Sequence, residues 1–271
     1  MMAEHFDGTG LTRRPEELVV EEPLTVRVND VDVATTMRTP GHDFELAVGL
    51  LHADGLLQGA EITDIRYCAT GSAVETEFNV VSVLATGAPE PKPRLGVISS
   101  SCGLCGTEAI EELIARIHQL APGPSIPQET MVSVVEAMQG HQPVFDRTGG
   151  LHAAAAFDID GTILESREDI GRHNAVDKVV GRFLLDGRLP ASGLGLFVSG
   201  RASFEMVQKA WAAGFAGVVA VSAPSALAVQ TARAAGMQLA GFARDGSLNM
   251  YAGQAVDEAD PSIMSQGETV S

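Results

Sequence analysis

Apolar and polar residues alternate from Val19 to Met37 on either side of Asn29-Asp30, and this period of two predicts a strand hairpin. His42 to Leu51 predicts a short helix that Gly55 is placed to stop. Ile62 to Cys68 and Val74 to Leu84 read as two further strands, and Pro89 to Pro93 as a stiff connector. Val97-Ile98 ends a short strand. A helix is expected from about Thr107 to Leu120, with Ile110, Leu113, Ile114 and Ile117 on one face, and another from about Thr130 to Gln139. Leu151 to Phe157 and Thr162 to Ser166 flank Asp160-Gly161, a hairpin turn. Asn174 to Leu185 is helical. Strands at Leu194–Ser199, Val218–Ser222 and Gln238–Ala243 then alternate with helices at Ser203–Ala213 and Ala226–Ala235. That order implies an α/β fold with parallel strands in the C-terminal half, joined by right-handed crossovers. Ligands of such sheets sit beyond the carboxyl ends of the strands. The residues there are Ser199-Gly200-Arg201, Ser222-Ala223-Pro224-Ser225 and Arg244-Asp245-Gly246-Ser247. Residues 1 to about 15 are expected to be frayed.

Composition narrows the function. The 271 residues carry 35 acidic and 18 basic side chains, a net charge of −17. Nucleic-acid binders need the opposite balance, and a polybasic membrane patch is missing. Met1 to Arg14 is polar, with no apolar run of the kind a signal peptide needs, and no stretch is long enough to span a bilayer. A cytoplasmic location is therefore expected.

There are three cysteines. Cys68 lies in a strand pattern and reads as a small buried hydrophobe. Cys102 and Cys105 sit in Ser99-Ser100-Ser101-Cys102-Gly103-Leu104-Cys105-Gly106, just before a helix. Backbone N–H groups at a helix N-terminus favour the reactive thiolate, and the two glycines keep the sulfurs reachable. Glu108, Glu111 and Glu112 oppose that shift. Sulfur relay or redox chemistry, half of a zinc site, a structural disulfide and two inert thiols all compete here. His152 with Cys102 and Cys105 has the ligand types of a zinc deaminase, but Ala154 stands where such a site needs a glutamate, and the order of ligands is reversed.

Arg172, His173 and Lys178, with Arg201 and Arg244 beyond strand ends, could surround a polyanion such as a pyrophosphate. Asp177 and Asp245 would suit donors on a purine ring. The plain alternative is a solvated, salt-bridged helix face. His152, in Thr148-Gly149-Gly150-Leu151-His152-Ala153-Ala154, reads as a ligand, a proton carrier or a buried hydrogen-bonded histidine.

Taken in order, Ser100 to Gly106, Thr148 to Ala154, Glu168 to Lys178, Ser199-Gly200-Arg201 and Gly241-Phe242-Ala243-Arg244 resemble the motifs of the FdhD family, sulfur carriers required for formate dehydrogenase activity. The resemblance runs from about Leu18 to about Tyr251 and shows no departure in these motifs. It implies a cytidine-deaminase-like α/β core, a smaller N-terminal β-rich lobe, and a homodimer. It also implies a sulfurtransferase working through a cysteine persulfide, with a cysteine desulfurase as donor. The implied acceptor is the bis(guanine dinucleotide) molybdenum cofactor, destined for a formate dehydrogenase apoenzyme. The family's persulfide cysteine maps onto Cys102/Cys105, and its cofactor-binding segment onto Phe242, Ala243, Arg244, Asp245, Gly246 and Ser247. Ser199, Gly200, Arg201, His173, Asp177 and Lys178 complete the expected cofactor site, with no resident metal. The expected organisation is a flexible stretch 1–17, a β-rich lobe about 18–94, the cysteine loop 99–106, an α/β part about 107–253 and a flexible tail 254–271. Two other functions remain: a chaperone that binds the cofactor without chemistry, and a zinc-dependent deaminase-like hydrolase.

Overall fold

The computed structural model describes residues 1–68, 77–90, 97–98 and 119–253. Both cysteines of the Cys-x-x-Cys pair, most of the helix expected over 107–120, and the tail 254–271 lie outside the described residues.

The expected first hairpin is β3 (Glu22–Val28) and β4 (Val31–Arg38), antiparallel, with Val28 opposite Val31. Asn29 and Asp30 both have positive φ, 47° and 68°, which a two-residue hairpin turn demands and these residue types tolerate. The Asn29 amide also donates to Ala85 O and accepts from Ala85 N–H, pinning the turn to β6 (Val80–Thr86). With β5 (Glu61–Tyr67) and β7 (Val97–Ile98) these strands form a five-stranded sheet in the order β5-β6-β3-β4-β7. Its inward residues, Leu24, Val26, Val81 and Val83 among them, pack against Leu46, Val48 and Leu51 of α1 (Asp43–Ala53).

The second sheet has six strands in the order β13-β12-β11-β10-β8-β9. They are β8 (His152–Phe157), β9 (Ile163–Asp169), β10 (Gly195–Val198), β11 (Gly217–Ala220), β12 (Gln238–Arg244) and β13 (Ser247–Ala252). β10, β11 and β12 are parallel, as the alternating pattern required, while β8 runs antiparallel to β10. Ala153, Ala155, Phe157, Phe197 and Val219 face one side, where Met131 and Val134 of α2 (Gln128–Ala137) cover them. Ala154, Ala156, Leu196, Val198 and Val218 face the other side. There α4 (Arg172–Leu185), α5 (Phe204–Ala212) and α6 (Ala226–Ala235) complete the layer. A single turn, α3 (Phe145–Thr148), precedes β8.

Helices α1 and α4 join the two sheets. They cross so closely that a Cβ at Gly49 would lie 1.9 Å from the Asp177 carbonyl oxygen, and one at Gly181 1.8 Å from the Glu45 carbonyl oxygen. Arg167 closes the seam with two hydrogen bonds to Glu45, at 2.6 and 2.9 Å.

Two elements differ from expectation. The segment expected to be frayed pairs as β1 (Met2–Phe6) with β2 (Leu11–Pro15). Asp7 Oδ1 organises the turn by accepting from the Thr9 and Gly10 N–H groups and the Thr9 hydroxyl. Asp245-Gly246, expected as an open strand-end loop, is a tight hairpin turn (φ 52° and 72°) leading into the edge strand β13.

Candidate functional site

One rim of the six-stranded sheet collects nearly every candidate whose placement is described. β10, β11 and β12 end there, and β8 begins there because it runs the other way. Three strand ends are stitched side by side: the Ser222 N–H donates to Gly200 O at 3.3 Å, and the Phe242 N–H to Ser222 O at 3.2 Å. Helix α4 starts at the same rim, because β9 ends at Asp169 opposite His152.

At the β10 end, Ser199 holds the start of β8. Its N–H donates to Ala153 O, and its hydroxyl accepts from Ala153 N–H, both at 2.9 Å. The same hydroxyl lies 3.4 Å from His152 Nδ1. A methyl group on Gly200 would meet the His152 ring at 3.5 Å and Arg172 Cδ at 3.7 Å, so these residues surround a small gap. Burial, and then the charges of Arg172 and His173, hold His152 below the ordinary histidine value, with Asp169 pulling weakly the other way. His152 is thus a neutral imidazole near pH 7. Burial and then the nearby charge of Arg201 also lower the pKa of Arg172. Arg201 itself is exposed.

Behind this corner the helices carry two matched pairs. His173 Nε2 pairs with Glu205, whose pKa falls chiefly through that hydrogen bond. One turn further along both helices, Lys209 Nζ donates to Asp177 Oδ1 at 2.6 Å. Complete burial pushes Asp177 up to about 6 against the pull of Lys209. Lys178 is 1% exposed and its ammonium is enclosed by Asp169 Oδ2 at 2.7 Å, Thr39 O at 3.0 Å and Glu168 O at 3.3 Å. Asp169 Oδ1 meanwhile accepts from the Gly171 N–H and the Asn174 amide. Asp177 and Lys178 are thus buried and engaged within the protein, while Arg201 is exposed and Arg172 half-buried.

At the β12 end, Phe242 has φ 52° within a bulge and is 37% exposed. Ala243 is fully buried in the core under α2 and offers a ligand only its backbone. Arg244, Asp245 and Gly246 are exposed on the hairpin turn, and the Ser247 hydroxyl donates to Arg244 O at 3.0 Å. Ser199, Gly200, Arg201, His173 and Phe242 are thus brought to one rim. Cys102 and Cys105 lie outside the described residues. Among the described residues no three His, Cys, Asp or Glu side chains could hold a metal ion, and no helix is long and apolar enough to cross a membrane.

Asp169, Glu205 and Lys209 join this region only through the tertiary structure. A signal existed for the last two: His173 and Asp177 are four apart, as are Glu205 and Lys209, so two helices in contact present complementary groups at the same spacing.

Comparison with known proteins adds independent findings. The model of the FdhD/NarQ family matches residues 19–256. "Sulfur carrier protein FdhD" of Corynebacterium efficiens is 46% identical over 256 residues, covering 89% of this chain and 91% of that protein. The protein of the same name from Streptomyces avermitilis is 47% identical, covering 92% and 91%. A crystal structure described as a formate dehydrogenase accessory protein from Desulfotalea psychrophila superposes with a TM-score of 0.72 at 24% identity, covering 93% of this chain and 95% of that one. At that identity the superposition speaks for the fold.

Proposed function

The chain belongs to the FdhD/NarQ family, and on that footing we propose that it is a sulfur carrier serving a formate dehydrogenase. The finer mechanism is part of the same proposal. The thiolate of Cys102, or else of Cys105, attacks the outer sulfur of a cysteine desulfurase persulfide. A sulfur–sulfur bond forms on this chain as the one on the donor breaks, and the donor cysteine leaves as thiolate. The other cysteine of the pair relays the sulfur by exchange. The acceptor is the bis(guanine dinucleotide) molybdenum cofactor, bound as substrate along the rim. Phe242 to Ser247 and Ser199-Gly200-Arg201 face it, with His173, Asp177 and Lys178 beneath. We also carry forward a cytoplasmic homodimer and a cytidine-deaminase-like core. The sheet order β9-β8-β10-β11-β12, with β8 antiparallel to its neighbours, supports the latter reading.

The observation that carries the mechanism is the anchor of the cysteine segment. β7 pairs in parallel with Thr35 and Thr36 of β4, with Ile98 opposite Thr36, the residue before Met37. Met37 O accepts from the Asn174 amide, and the Thr39 hydroxyl accepts from Ile170 N–H, both at the head of α4. Cys102 is four residues beyond Ile98, a reach of roughly 14 Å at full extension. That tether supports a reading in which the cysteine pair serves the rim.

The test is intact-mass analysis after incubation with a cysteine desulfurase and cysteine. A gain of one sulfur, reversed by reductant, supports the carrier. Normal cofactor binding without any sulfur gain would favour a chaperone that only shields the cofactor.

A further inference from the structure

One residue just past the end of β4 commits every polar atom it has to a distant turn. The Thr39 N–H donates to Asp169 Oδ2 at 3.1 Å, its hydroxyl accepts from the Ile170 N–H at 3.1 Å, and its carbonyl accepts from Lys178 Nζ at 3.0 Å. These partners lie 130 to 139 residues later, in the β9–α4 turn and in α4 itself. Asp169 answers from the other side. Its Oδ2 also pairs with Lys178 at 2.7 Å, and its Oδ1 accepts from the Gly171 N–H at 2.8 Å and the Asn174 amide at 2.9 Å. Asp169 is 0% exposed and Lys178 1%. The turn has no slack, since a Cβ on Gly171 would come within 3.0 Å of the Asn174 amide nitrogen. Apolar packing would hold a strand end to a helix as firmly, because the desolvation of a buried ion pair roughly cancels its attraction. What the polar cluster adds is direction, because all of its bonds are satisfied in one orientation of the turn.

This clamp stands between the two sides of the proposed transfer. On one side, β4 carries β7, the strand that leads to Cys102. On the other, the clamped turn starts α4 at the rim, and Asp169 is the cross-strand partner of His152. Resting on the sulfur-carrier reading above, we infer that Asp169 and Thr39 are positioning residues for sulfur delivery: they set the cysteine-bearing chain against the rim and take no part in loading sulfur onto it. Loading is exchange with an external persulfide and needs only a reachable thiolate. Delivery joins two groups held on one chain, where a misplacement of about 1 Å costs about a hundredfold in rate.

The test separates loading from delivery on the full chain. Thr39→Val keeps the side-chain shape and both backbone bonds, and removes only the acceptor for the Ile170 N–H; Thr39→Ser keeps that acceptor. Each protein is loaded with a cysteine desulfurase and cysteine and followed by intact mass. Its sulfur is then removed by cyanide as thiocyanate or, separately, delivered to a formate dehydrogenase apoenzyme supplied with the molybdenum cofactor. Thr39→Val should load sulfur and yield thiocyanate at the wild-type rate while activating the dehydrogenase about tenfold more slowly, and Thr39→Ser should match wild type in all three. Asp169→Asn should show the same split more strongly; if it fails to fold, the threonine variants still report. Equal activation by Thr39→Val and wild type, or a fall in loading and activation together, overturns the inference and leaves the sulfur carrier standing. A wild-type chain that gains no sulfur removes the carrier reading and the inference with it.

Discussion

Replacing Gly181 by alanine tests whether the crossing of α1 and α4 fixes the molecule. In the middle of an ordinary helix, Gly→Ala stabilises by about 0.8–1 kcal/mol, because glycine loses more backbone entropy on folding. Here the new methyl would lie 1.8 Å from the Glu45 carbonyl oxygen and 2.6 Å from its carbonyl carbon. Both atoms belong to helix backbone, so no rotamer change relieves the overlap. The helices would have to part by more than about 1 Å, opening the layer between the two sheets and straining the Arg167–Glu45 bridge. Overpacking of this kind costs about 1–3 kcal/mol, and backbone overlap places it at the upper end. After the propensity gain, the net loss is about 2 kcal/mol. For a chain of this size that lowers Tm by about 4–8 °C. Thermal unfolding followed by circular dichroism reads it directly. Gly49→Ala meets the same crossing from the other side and should act in the same direction, with the double variant losing less than the sum. A Gly181→Ala protein as stable as wild type, or more so, would refute the reasoning, since propensity alone predicts that sign.

Three other outcomes follow from the same geometry. Alanine at both Cys102 and Cys105 should abolish sulfur gain in the intact mass while leaving the unfolding midpoint unchanged; loading that persists would move the chemistry to Cys68, which is buried. Asp169→Asn leaves Lys178 without its carboxylate at 1% exposure and should cost about 3–5 kcal/mol in denaturant unfolding. Burial lowers the pKa of His52, and burial followed by Arg172 and His173 lowers that of His152, both from 6.5. A base with a depressed folded pKa gives stability that is whole above the unfolded value and lost as pH falls through the folded one. Stability should therefore drop below about pH 6.5, and less steeply in His152→Gln. Asp177, raised to about 6, acts in the opposite sense, so the difference between variant and wild type is the readout; superimposable pH profiles would remove His152 from the account.

Much of this protein is written in local pattern. The Asn29-Asp30 hairpin, the bounds of α6 and the run of parallel strands follow from period, turn chemistry and strand–helix alternation, which depend on near neighbours alone. The Cys-x-x-Cys pair, the arginine past β10 and the other family motifs are equally local, so the family was legible before any fold was known. The N-terminal hairpin was not, although Asp7-Gly8-Thr9-Gly10 carries a turn signal, because its strands are short and mostly exposed. The edge strand β13 is not legible locally, because Asp245-Gly246 past a parallel strand suits a ligand loop as well as a hairpin turn.

What only the tertiary structure decided is which charges face outward. Arg172 and Lys178 lie in one run of sequence, yet the first borders the rim and the second is sealed against Asp169 and the Thr39 carbonyl. Their separation of six residues puts them on different sides of α4, and burial on the inner side comes from α1 and β4, more than a hundred residues earlier in the chain. Whether a basic residue meets solvent or a buried carboxylate depends on those distant elements, and no local pattern carries that information.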